Sequence, residues 1–411
     1  MINKKLFWIY VLSSSIYFTQ GVEGLPGSSL FALLKEKLHL SPSDIMYLGA
    51  LISLAWLIKP VWGILIDNLL TKKIWIMLSL IGSLFISLFL GFSPILPLIV
   101  LIPILMLGNL NTAFRDIAND GIMCVEGKEN NKCDKIQVIQ WISITVASIL
   151  VGLFGGYIAD HFNYKIAYLS LIPIYLIIIG IVLQYKNNKT EKIKSCKSCT
   201  WNSECDNDDN HICEEYIKPR LWTSILSYKE LFTNKQFLLG CLFLFIYKFT
   251  PGFGTPLQFI ERDTFKWSFT FMSVLGAISS IISIIGAIIY YKISSKLNIK
   301  KVLFYSVFLM GLTNLCYLYF TPVTDVIYTI IFSFLGMFIF LNTMTWMAKS
   351  TLSGKESTSF ALLCSINNLS GTCSTLVGAW LLPLIGLQYL IILASLSAFL
   401  SLPILKRLEI N

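Results

Sequence analysis

Long apolar runs separated by short polar punctuation dominate the chain. A membrane-crossing helix needs roughly 20 mostly apolar residues. Twelve stretches meet that length, at about 6–33, 43–66, 74–91, 95–114, 137–159, 165–184, 237–256, 268–291, 301–319, 325–347, 358–381 and 386–404. Pro, Gly and charge divide them: Ser93-Pro94, Pro97, the 115–135 run, Asp160-His161, the 186–235 run, Pro322, and Lys349 to Glu356. Membrane β-barrels show weak alternation in short segments instead. The pattern therefore predicts an all-α membrane protein of about twelve transmembrane helices. Lys4-Lys5 followed by an apolar run has the outline of a signal peptide. The run continues past Gly21 to Leu34 without a small-residue cleavage site, which predicts a first span instead.

Composition agrees. The 411 residues are 55% hydrophobic and 13% charged, against about 45–50% and about 25% in ordinary soluble domains. This excludes a cytosolic enzyme, a nucleic-acid reader, a disordered chain and a collagen-like fibre. The net charge of +9 is thus a statement about membrane orientation. Sorted by loop, 25 of the 32 basic residues fall on the side of the termini and 5 on the other, with Lys59 and Lys248 inside spans. Arg115 counts here among the loop cations of the terminal side. The bias predicts that both termini face the cytosol.

One connection is long, at about 186–235, and it divides the spans six and six. The expected organisation is an N-terminal half at 1–185, a cytosolic central loop at 186–235 and a C-terminal half at 236–411. This is the layout of the major facilitator fold. A weak internal repeat accompanies it. Gly63-Ile-Leu-Ile-Asp67 precedes Lys72-Lys73, and Gly286-Ala-Ile-Ile-Tyr290 precedes Lys300-Lys301. The first copy resembles the GxLxD loop motif of that superfamily, which implies a conformational gate at Gly63, Asp67, Lys72 and Lys73. Glycine there allows close helix contact, and the acid can pair with a cation or a helix N-terminus.

Ionisable groups at membrane depth are costly and mark pathways by default. Glu23 lies among Gly21, Gly24 and Pro26, residues that loosen a helix where it lines a cavity. Lys59 precedes Pro60. Asp116 and Asp120 are one turn apart and share a helix face, where they can share a cation such as Lys59. Lys248 stands beside Pro251 in span seven, the counterpart of span one. Glu23, Lys59, Asp116, Asp120 and Lys248 are the predicted substrate and proton pathway.

Several segments resemble one family. Gln20-Gly-Val-Glu-Gly24-Leu25-Pro26, Leu33-Leu34-Lys35 to Leu40-Ser41-Pro42, Trp56-Leu-Ile-Lys59-Pro60 to Asp67, Asp116 to Asp120, and Gly155-Gly156 to Asp160 are similar to motifs of the folate–biopterin transporter family. Gly252-Phe253-Gly254 after Thr250-Pro251 and Lys248 itself depart from its pattern. The resemblance implies a secondary-active transporter of folate, biopterin or related pterins working by alternating access. A carboxylate such as Asp116 or Glu23 suits the 2-amino-4-oxo edge of a pterin, and Lys59 and Lys248 suit the carboxylates of a folate tail. Acids at depth and the lack of a GxxxxGK[ST] nucleotide motif point to proton coupling.

Cys196, Cys199, Cys205 and Cys213, with His211, crowd the central loop. Zinc, free thiols and two disulfides are the alternatives, and a cytosolic loop disfavours the last. No other cofactor is expected. The partners expected are a small-molecule substrate and the lipid bilayer, without nucleic acid. The chain is expected to be a monomer of the plasma membrane, with an organelle membrane as the alternative. Three scattered His without catalytic spacing argue against an enzyme. Two other readings stand beside the first: a facilitator-fold carrier of another small anionic metabolite, and a non-transporting membrane sensor or scaffold.

Overall fold

A computed structural model describes residues 4–130, 133–185, 233–293, 296–351 and 356–409. The four cysteines of the central loop lie outside them, as does the side chain of Asp67. Among the described residues the chain is helical throughout, and eight helical stretches are long and apolar enough to cross a membrane. One of these, Ser359–Arg407, doubles back at Gly386, whose φ of 75° suits glycine alone, and so makes two passes. Three further passes are built from broken helices. Span one is Lys4–Val22, Gly27–Ala32 and a π-helical turn at Leu33–Lys37; span two is Pro42–Ile52, Leu54–Leu57 and Lys59–Leu69; span seven is Lys235–Lys248 and Gly254–Asp263. The described residues thus make twelve passes.

Polar caps set the helix starts. Ser41 and Asp44 form a reciprocal capping box with Pro42 at the first helical position, and Thr321, Pro322 and Thr324 repeat it at span ten. Asn163, Asn234 and Asn298 cap spans six, seven and nine. The breaks leave backbone groups that must find partners in a membrane interior. Span eleven supplies them. Ser370 Oγ donates to Phe245 O at 2.6 Å, Ser374 Oγ donates to Thr250 O, Gly252 N donates to Ser374 O at 2.9 Å, and Asn368 Nδ2 donates to Trp56 O at 3.4 Å.

Two buried apolar clusters hold the bundle. One draws on residues from Ile9 to Tyr185, the other on residues from Phe237 to Leu408. Where the six-helix groups meet, span five runs along span eight and span two along span eleven. Glycine permits the first approach, and also the packing of span eleven on span seven. A Cβ on Gly156 would collide with Phe269 O of span eight, and one on Gly378 with Gly252 O of span seven. Large apolar side chains such as Phe85, Ile99, Leu176 and Leu396 cover the outside, as a lipid-facing surface requires.

One reading of the sequence is corrected here. Span four does not end before the 115–135 run; its helix continues from Leu98 to Asn130. Arg115 is therefore no loop cation but a fully buried side chain. The charge is tolerated because an acid from span one meets it.

Candidate functional site

A cavity of about 760 Å³ opens between the two six-helix groups, within the range of small-molecule sites. Gln20, Ser53, Trp56, Asn367, Asn368 and Thr372 contribute to its lining. All are neutral, and all but Trp56 present an amide or a hydroxyl. Gln20 Oε1 is buried and meets no donor among the described residues. The Ser53 and Thr372 hydroxyls lie 3.2 Å apart across the seam. The amides of Asn367 and Asn368 escaped the sequence reading, because a neutral polar residue in an apolar run gives no signal.

Trp56 joins the cavity to the buried charges. Its Nε1 donates to Asn109 Oδ1 at 3.1 Å, and Lys59 Nζ stands 4.5 Å from its ring centroid. Lys59 Nζ also donates to Asp116 Oδ2 at 2.5 Å. One turn along, Asp120 Oδ1 accepts from Tyr17 OH at 2.9 Å. Spans one, two and four thus bring Lys59, Asp116 and Asp120 into one cluster beneath the cavity.

Glu23 belongs to a different group. Its Oε2 accepts from Arg115 Nη2 at 2.6 Å and from Thr112 Oγ1 at 2.8 Å, and its Oε1 accepts from Tyr175 OH at 2.8 Å. Both carboxylate oxygens are occupied, so Glu23 ties the break in span one to spans four and six. Lys248 ends the first helix of span seven. It meets no carboxylate among the described residues, only the ring of Tyr247 at 5.2 Å.

The motif at the terminal end divides. Gly63 has room, with a Cβ there touching only Ile117 at 3.9 Å; the close approach is at Gly121, against the stem of Lys72. Lys73 Nζ donates to Leu183 O at 3.2 Å and to Tyr185 O, closing the end of span six. Lys300 mirrors it on the last span, donating to Leu408 O at 2.5 Å and Lys406 O at 3.3 Å. Tyr290, where the repeat lacks the acid, donates to Thr345 Oγ1 at 2.9 Å.

At the opposite end a polar latch crosses the seam. Lys35 pairs with Asp263, and Arg262 Nε donates to Glu36 Oε1 at 2.8 Å. Arg262 also covers the Phe269 ring, 4.2 Å from its centroid. Asp160 accepts from Phe269 N at 2.9 Å and from Thr270 N and Oγ1, both at 2.7 Å, and so caps span eight from span five.

The arrangement has relatives. The coordinates superimpose on a D-xylose-proton symporter with a TM-score of 0.74 at 11% identity, covering 99% of this chain and 98% of that one. They superimpose on the nucleoside transporter NupG with a TM-score of 0.68 at 15% identity, covering 98% and 100%. This is the major facilitator fold, and the protein is a multi-pass membrane transporter rather than an enzyme. Residues 20–409 match the BT1 family, to which the chain belongs. It is 25% identical to a folate-biopterin transporter of Synechocystis sp., over 97% of this chain and 81% of that one. It is 24% identical to folate transporter 1 of Plasmodium falciparum, over 92% and 74%.

Proposed function

We propose that this protein carries folates or related pterins across a membrane by alternating access, driven by protons. The observation that carries the reading is the cavity on the seam, walled by Gln20, Trp56, Asn367 and Asn368 above the Lys59–Asp116 pair. A pterin offers amino donors and an oxo acceptor on one flat edge, and side-chain amides match both. Its ring plane suits the face of Trp56. The printed names of the curated relatives support the same substrate class.

In this reading both termini face the cytosol, as the loop cations indicate. The Lys35, Glu36, Arg262 and Asp263 latch then closes the outer end. Its pairs are partly exposed, and exposed pairs are each worth only about 0–1 kcal/mol, so the latch can open in a transport cycle. Asp116, held by Lys59, becomes available to a substrate only when that pair separates. The protein works as a monomer in the plasma membrane.

The test is uptake of labelled folate and biopterin into vesicles holding the purified protein, with and without an inward proton gradient. The reading expects gradient-stimulated uptake that unlabelled pterins suppress and sugars, nucleosides and amino acids do not. Suppression by those other solutes alone would overturn it.

A further inference from the structure

Among the described residues six charged side chains lie well inside the spans: Glu23, Lys59, Arg115, Asp116, Asp120 and Lys248. Four of them neutralise one another as Arg115–Glu23 and Lys59–Asp116. One acid and one base are left over, and they do not meet. Asp120 faces Tyr17 of span one, with Asp116 on its own helix. Lys59 of span two, Gln140 of span five and Cys364 of span eleven complete its electrostatic surroundings. Among the described residues no cation forms an ion pair with it. Among the described residues no charged group stands against Lys248, only the ring of Tyr247. The end of its helix favours a cation with about half a charge and leaves the remainder uncompensated.

The depth of Lys248 matters. Span eleven holds Phe245 O through Ser370 and Thr250 O through Ser374. Lys248 lies between those two clips, level with the stretch from Asn367 to Thr375 that walls the cavity. We infer that Lys248 is the seat of a carboxylate carried by the substrate, and Asp120 the seat of the proton that travels with it. This rests on the transport reading above. Sealing the cavity from water with one substrate carboxylate on Lys248 and a proton on an Asp120 oxygen leaves neither side chain as a lone charge. Sealing it with either alone leaves one, at the cost that isolated buried charges carry. The proton comes from water on the loading side and returns to water on the other. The preferred substrate is therefore a flat heterocycle bearing an anionic arm, a folate rather than a neutral pterin.

The experiment compares folate with neutral biopterin in vesicles containing the full chain. Lys248→Gln is expected to raise the folate KM by about tenfold or more and to leave biopterin within about twofold, with Lys248→Arg restoring folate. Asp120→Asn is expected to abolish stimulation by the proton gradient while folate binding persists. Equal losses for both compounds in Lys248→Gln, or gradient stimulation surviving in Asp120→Asn, would overturn the assignment. Should the wild type move neither compound, the transport reading falls. Quenching of tryptophan fluorescence by folate and biopterin in detergent then decides the anion seat by the same comparison: Lys248→Gln weakening folate alone supports it, and unchanged folate binding removes it.

Discussion

Arg115 of span four and Glu23 of span one meet at 2.6 Å with the guanidinium almost wholly excluded from solvent. Removing one member of such a pair leaves an uncompensated buried charge and costs about 3–5 kcal/mol. Arg115→Ala and Glu23→Ala are each expected to lower the melting temperature of the detergent-solubilised protein sharply. The double variant Glu23→Ala, Arg115→Ala is expected to lose less than the sum of the two single losses. Additive losses in that thermal cycle would mean that the two side chains act independently.

The Lys59–Asp116 pair sits beside the cavity and is expected to be functional rather than structural. Lys59→Ala or Asp116→Ala should cut uptake by at least about tenfold, while membrane insertion and gel-filtration profile stay as in the wild type. Wild-type uptake in both variants would remove the pair from the pathway.

Asn368 reaches across the seam to Trp56 O and lines the cavity. Asn368→Leu keeps the volume and removes the amide. Ligand affinity is expected to fall by about tenfold, measured by equilibrium binding, with little change in melting temperature. An unchanged affinity would show that the amide is only packing.

The latch at the end opposite the termini should set accessibility. In a cysteine-replaced background, Ser53→Cys reports on the cavity through a membrane-impermeant thiol reagent. Arg262→Ala removes the bond to Glu36, the bond to Trp267 O and the cover over Phe269, and should speed labelling from that side several-fold. The same rate with and without Arg262 would show that the latch does not hold this end closed.

Gly156 tests the seam, and Gly378 tests the packing of span eleven on span seven. Valine at either place would drive a branched side chain into backbone of the neighbouring helix. Each variant is expected to lose most folded protein on size-exclusion chromatography, whereas Gly63→Ala, which has room, should be tolerated.

The spans were legible because apolar runs of that length have few other uses, and the starts because Ser41-Pro42 and Thr321-Pro322 carry their own capping chemistry. The charges Lys59, Asp116 and Lys248 stood out against an apolar background. The pairing of Lys59 with the acids of span four was legible as well, but the cation that meets Glu23 was not, since pairing depends on which helices pack together. Arg115 shows the limit clearly. Beside Asp116 and Asp120 it reads as a polar helix end, and only Glu23, 92 residues earlier, makes its burial affordable. Asn367 and Asn368 were invisible for the opposite reason: neutral amides become a site only when Gln20 and Trp56 face them from the other half. Lys35 and Arg262 read only as orientation charges, and Glu36 and Asp263 carried no reading, because neither pair is meaningful until the two loops meet.

The matching lysine clasps, Lys73 onto the end of span six and Lys300 onto the end of the last span, bridge 110 and 108 residues of chain. During synthesis the third helix of each half is made long before the carbonyls that its lysine will hold. Each half thus keeps an open clasp until its sixth helix leaves the ribosome, and the first clasp can shut before the second half is made. The lysine that opens the third helix of each half therefore acts only once the sixth helix is in place.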